Sequence, residues 1–112
     1  MSLLPNQIAV VTGAGRGIGH AIALKFANAG ADVVCVSRTA ENAEKAADEI
    51  RGLGRKAWAY SVDVSNTTQV EQACERILGD TGRVDILVNN SGVTRDGLLM
   101  RMSESEIGKA NV

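Results

Sequence analysis

A glycine cluster, Thr12-Gly13-Ala14-Gly15-Arg16-Gly17-Ile18-Gly19, stands between an apolar run and a helical pattern. Ile8-Ala9-Val10-Val11 before it reads as a short buried strand. After it, Ile18, Ile22, Phe26 and Ala29 recur at helical spacing. Strand, glycine turn and helix in that order can bind a pyrophosphate. The turn brings backbone N–H groups close to the phosphates, and the start of the helix adds its dipole and unpaired donors. Glycine is required where a Cβ would block that approach or forbid the backbone angle. A tight strand-to-helix connection without a ligand needs glycine for the same steric reasons, so the turn alone leaves both readings open. The spacing departs from G-x-G-x-x-G, because the sixth position counted from Gly13 is Ile18; what is present is T-G-x-x-x-G-I-G. No Gly-Lys-Ser/Thr follows, which excludes a Walker A loop.

Beyond this unit the chain continues to alternate strand and helix. Residues 32–36 read as a second strand. Thr39 is placed to cap a helix in which Ala43, Ala46, Ala47 and Ile50 share a face, ended by Gly52 and Gly54. Residues 56–62 alternate enough for a third strand. Ser65 or Thr68 starts another helix, with Val70, Ala73, Cys74, Ile77 and Leu78 on one side and Gly79 and Gly82 breaking it. Residues 84–88 form a fourth strand, apolar enough to be covered on both faces. A polar loop follows from Asn89, and Ser103 with Glu106 resembles a capping box opening a last helix. Repeated β-α-β units with short connections imply right-handed crossovers and a parallel sheet. The expected fold class is α/β: a doubly wound, Rossmann-like sheet of four strands in order 3-2-1-4, truncated, with helices on both faces. Its cleft should open at the carboxyl ends of strands one and four, where strand order reverses.

At 112 residues, one domain covering 1–112 is the natural count. A formal net charge of -1 gives no reason to expect nucleic acid or an anionic membrane as partner. No apolar run approaches the ~20 residues that span a bilayer, and the first seven residues lack the basic flank of a secretion signal. Cys35 and Cys74 form no metal or redox motif and read as reduced, buried thiols, so no metal is expected and the expected location is cytoplasmic, or the plastid stroma. His20 reads as surface or packing, Trp58 as packing, and Glu41, Lys45, Glu71, Glu75 and Arg76 as solvated helix faces.

At the end of strand two, where an NAD site usually places a carboxylate, the chain has Val36-Ser37-Arg38; its acid, Asp32, is at the other end. Arg38 is instead suited to a 2′-phosphate through its planar fork, with Arg16 in the turn placed to help. The cofactor reading is therefore NADP(H). Two solvated arginines are the alternative.

The glycine cluster, Asp63-Val64 after strand three, and Asn89-Asn90-Ser91-Gly92 after strand four together resemble motifs of the short-chain dehydrogenases/reductases. Ser91 stands where the family usually has Ala. Within the family, residues 92–102 are most similar to ketoreductases that act on 3-oxoacyl groups of acyl carrier protein in fatty acid synthesis. The resemblance implies that Gly13, Gly15, Arg16, Gly17, Ile18 and Gly19 hold the pyrophosphate. It further implies that Asp63 accepts from the adenine amine with Val64 beside it, and that Asn90, Ser91 and Gly92 line the path to the nicotinamide ribose. Asn89 is expected to tie loop to strand through side-chain bonds to backbone, a structural task. Asn111 either matches the family's active-site asparagine, brought forward by a short deletion, or belongs to a frayed end without function.

The family's chemistry needs a serine and a Tyr-x-x-x-Lys pair beyond strand four. The single tyrosine, Tyr60, lies in strand three and is followed four residues later by Val64. No turnover is expected from this chain alone, and 3-oxoacyl-acyl-carrier-protein becomes a substrate only with the missing half. A stand-alone NADP(H)-binding module is the second reading. A third is an assembly protein that uses the edge of strand four, which would be open and apolar and would favour a homo-oligomer.

Overall fold

The computed structural model describes residues 3–15, 17–63, 65–90 and 110–111. Its elements are β1 (Ile8–Thr12), α1 (Gly17–Asn28), β2 (Asp32–Ser37), α2 (Ala40–Gly52), β3 (Ala57–Ser61), α3 (Thr67–Thr81), β4 (Ile86–Val88) and β5 (Ala110–Asn111). The sheet runs β3-β2-β1-β4-β5 with every neighbour parallel. Four strands therefore take the expected order 3-2-1-4, and a two-residue fifth is added. Ala110 and Asn111 pair with Ile86 and Leu87, so the edge of β4 is not open there as expected. Asn111 is thus part of a strand rather than a frayed end. The expected helix opening near Ser103 lies outside the described residues.

Strand periodicity divides the core into two layers. Ile8, Val10, Val34, Val36 and Leu87 face α3 and meet Val70, Ala73, Cys74 and Ile77. Ala9, Val11, Val33, Cys35, Ile86 and Val88 face the other way, onto Ala23 and Ala27 of α1 and Ala46, Ala47 and Ile50 of α2. All five residues of β1 are buried, as a central parallel strand covered on both faces requires. Burial pushes the Cys35 thiol up to about 12, so it stays protonated and inert.

The helices depart from expectation in detail. In α1 the buried stripe is Gly19, Ala23 and Ala27. Ile18 is 73% exposed, and Ile22 and Phe26 only flank the core. Small residues at i, i+4 and i+8 let α1 lie close to the sheet, which larger side chains on that stripe would prevent. The α3 cap is Asn66, not Ser65 or Thr68: its side chain accepts from the Gln69 N–H at 3.1 Å. Gly79 lies inside α3, and Gly82 ends it at φ 80. Thr39 precedes α2 as expected, but its side chain makes no capping bond; its N–H donates to Ser37 Oγ at 3.3 Å.

Two acids at the amino ends of the strands fix the sheet's lower rim. Asp32 accepts from the Lys56 N–H and from Arg55 Nη2, both at 3.0 Å. Asp85 accepts from the Ile8 N–H at 2.9 Å and from Arg83 Nε at 3.0 Å. The task of Asp32 is structural, at the end away from the glycine turn.

Candidate active site: a glycine cleft where strand order reverses

The pairing register sets the ends of four strands side by side. Thr12 is level with Val36, Ser37 with Ser61, and Val11 with Val88. The glycine turn leaves β1 at this rim. The Ala14 N–H donates to the Val36 carbonyl at 3.0 Å, which holds the turn against β2. Thr12, 1% exposed, is the hinge pin between β1 and the segment after β4. Its hydroxyl lies 3.3 Å from both the Val88 carbonyl and Asn89 Oδ1, and it accepts from the Asn90 N–H at 2.8 Å. Asn89 meets β1 through the Thr12 hydroxyl, a side-chain partner where a backbone one is expected.

The glycines have separate reasons. A Cβ on Gly19 would overlap the Gly13 carbonyl and come within 2.7 Å of Asn90 Nδ2. One on Gly13, where φ is +65, would sit 2.5 Å from the Asn90 carbonyl oxygen. Gly13, Gly19 and Asn90 thus form one close contact that seats the first turn of α1 on the turn and on the β4 loop. A Cβ on Gly15 would come within 2.6 Å of Asn42 Cβ on α2 and 3.0 Å of Ser37 Oγ. Gly17 has open space around it, and its requirement is φ +62 alone.

This rim suits an anion. The first turn of α1 carries no acidic residue, so its unpaired N–H groups and dipole meet no competing carboxylate. At the end of β2, the Arg38 carbonyl accepts from Ser61 Oγ at 2.9 Å, which pins an exposed arginine backbone between β2 and β3. Asp63 follows β3. Its Oδ1 accepts from Ser65 Oγ at 2.6 Å and from the Ser65 N–H at 3.0 Å, and its own N–H donates to Gln69 Oε1 at 2.9 Å. The Ser65 bonds, helped by the charge of Arg38, hold the Asp63 carboxyl below the usual carboxylate range, so it is an ionised acceptor.

Gly13, Gly15, Gly17, Ile18, Gly19, Arg38, Asp63 and Asn90 therefore gather at one rim of the sheet. Arg16, Val64, Ser91 and Gly92 lie outside the described residues. Asn111 is level with Leu87 inside β5. The sequence reading passed over Thr12, Ser37 and Asn42. Thr12 had a signal, a lone hydroxyl ending an apolar strand, whereas Ser37 and Asn42 show their contact with Gly15 only in three dimensions. His20 Nε2 meets Glu49 Oε2 at 2.8 Å and joins α1 to α2. Tyr60 turns toward α3, where its hydroxyl meets Asp80. Partial burial, and then that bond, push its ionisation up. Among the described residues, no group of three or more His, Cys, Asp or Glu could hold a metal ion.

A doubly wound parallel sheet with a glycine turn at the switch point defines a dinucleotide-binding fold. The sequence profile of the short chain dehydrogenases matches residues 7–110, and the chain belongs to that family. It is 44% identical over 106 residues to the 3-oxoacyl-[acyl-carrier-protein] reductase FabG of Chlamydia muridarum, covering 94% of this chain and 43% of that protein. A metagenomic short-chain oxidoreductase in complex with NADP superposes with a TM-score of 0.76 at 42% identity, over 80% of this chain and 41% of the other. A 7α-hydroxysteroid dehydrogenase complexed with NADH and 7-oxo glycochenodeoxycholic acid gives 0.74 at 41% identity, over 77% of this chain and 34% of the other. The chain thus spans about two-fifths of the length of the relatives it matches.

Proposed function

We propose that this chain forms the NADPH-binding half of a reductase for 3-oxoacyl groups carried on acyl carrier protein. The observation that carries the reading is the contact among Gly13, Gly19 and Asn90. That contact seats the first turn of α1, with its unpaired amides, at the rim where strand order reverses.

In this reading the cofactor supplies a hydride to a ketone. The chain's residues bind and orient it. Gly13, Gly15, Arg16, Gly17, Ile18 and Gly19 surround the pyrophosphate. Asp63 accepts from the adenine amine, with Val64 beside it. Asn90, held by Thr12, lines the way to the nicotinamide ribose with Ser91 and Gly92. Arg38, assisted by Arg16, pairs with the 2′-phosphate, a role favoured by the absence of an acid after Ser37. The NADP-bound neighbour agrees with this preference, and the NADH-bound one shows that the fold serves either nucleotide. The 3-oxoacyl substrate rests on the relatives named for it. Among the described residues no helix is long and apolar enough to cross a membrane.

The 112 residues contain no Tyr-x-x-x-Lys pair, and positioned proton donation is worth ~10²–10⁴ in rate. The chain by itself should therefore bind NADPH without turning over acetoacetyl thioester. Calorimetric titration tests this. NADPH should bind more tightly than NADH, and Arg38→Asp should weaken NADPH by roughly 10- to 100-fold while sparing NADH. Equal loss of both would remove Arg38 from the role, and measurable NADPH oxidation would refute the division of labour.

A further inference from the structure

One edge of the sheet is β3, and it lacks the usual defences. Residues 57–62, Ala-Trp-Ala-Tyr-Ser-Val, contain no charge and no proline. The strand is in unbroken register with β2 over all five of its residues, so no bulge turns it aside. The Val33 N–H donates to the Lys56 carbonyl and the Val62 N–H to the Ser37 carbonyl. That parity turns the backbone groups of Trp58 and Tyr60 toward β2 and those of Ala57, Ala59 and Ser61 outward. The Ala57 carbonyl is already taken by Arg51 Nη2 at 2.9 Å. Beside this edge lies an open cavity of about 500 Å³, floored by Tyr60 and Ser61 and walled by Gln72, Arg76 and Asp80 of α3.

The edge is complementary to itself. In an antiparallel pair centred on Ala59, residue 57 meets 61 and residue 58 meets 60. The Ala59 pair and the Ala57–Ser61 pairs exchange backbone bonds, about four without displacing Arg51. Trp58 and Tyr60, both half-buried on the face that packs against α3, become cross-strand neighbours. Arg55 and Lys56 at one end of the strand come beside Asp63 at the other, so the charges match across the axis. A cavity of this volume accepts an indole, and Arg76 on its wall is placed to stack on it.

We propose that β3 is a homodimer surface, with two copies joining antiparallel about Ala59 and the partner's Trp58 seated against Tyr60 in each cavity. The surface lies on the opposite edge of the sheet from β4 and β5, and it meets the nucleotide reading at one residue, Asp63. Trp58 is the only tryptophan, so no other indole contributes to the emission. In sedimentation equilibrium the chain should dimerise reversibly, with the emission maximum moving to longer wavelength on dilution. Ala59→Pro removes an outward N–H without breaking a bond to β2 and should leave a folded monomer with the red-shifted emission. Lys56→Glu, at an exposed side chain, should weaken the dimer several-fold and serves should the proline variant not fold. A wild-type chain that stays monomeric at every concentration would overturn the proposal. So would a dimer that survives both substitutions with unchanged emission, which would place the contact elsewhere, such as beyond β5.

Discussion

At Gly19 one methyl group decides whether α1 can seat against the glycine turn. An alanine Cβ there would occupy the space of the Gly13 carbonyl and press on Asn90. We expect Gly19→Ala to lower stability by about 1–3 kcal/mol or more through overpacking, and to abolish NADPH binding. Gly17→Ala meets open space and pays only for φ +62, about 1 kcal/mol. Urea unfolding with nucleotide titration of both variants checks the contrast, and similar losses for the two would contradict it. Asp63 offers a separate residue-scale test. Its carboxyl is held low chiefly by Ser65, so its contribution to stability is present above the ordinary aspartate pKa and is lost as pH falls through the lowered value. An NMR pH titration should place Asp63 below ordinary aspartates, and Ser65→Ala should move it up. No movement would mean that another group sets its charge.

At the scale of elements, the strands were legible because each is a short apolar run between polar breaks. The parallel order followed from their alternation with helices. Helix boundaries were less legible. Asn66 caps α3 because its side chain reaches the Gln69 N–H, a geometry that Ser65 and Thr68 resemble equally well on paper. Gly79 was expected to break a helix that in fact runs through it, since packing of Val70, Ala73, Cys74 and Ile77 outweighs one glycine's propensity. The buried face of α1 was misjudged toward its large residues, because sequence alone cannot show how near the sheet lies. Nothing in Ala110-Asn111 announces a strand; β5 exists only beside β4. The α3 ends give a quantitative check. Asn66→Ala should lower stability by about 1 kcal/mol in chemical denaturation. Gly82→Ala should cost a similar amount, because its φ of 80 is left-handed. A neutral result at Asn66 would remove that cap from the account.

At the scale of the whole molecule, two cores sandwich one parallel sheet whose ends do different work. The lower rim is closed by Asp32 and Asp85, which satisfy strand N–H groups. The upper rim is left to glycine, serine and asparagine, whose small or polar side chains leave backbone groups accessible. The glycine turn and Arg38 were readable from their places at the ends of strands one and two, whereas Asp63 and Asn90 were marked only by the family resemblance. The rim's cohesion through Thr12, Ser37 and Asn42 was not readable, because those contacts join residues far apart in the chain. The central claim is that backbone amides between residues 12 and 19 cradle a nucleotide's diphosphate. Titrating ¹⁵N-labelled chain with NADPH and following its amide resonances tests this most directly. The largest shifts should fall on Gly13, Gly15, Gly17, Ile18 and Gly19, with smaller ones at Arg38, Asp63 and Asn90. Saturable binding that leaves the glycine turn unshifted would contradict the account.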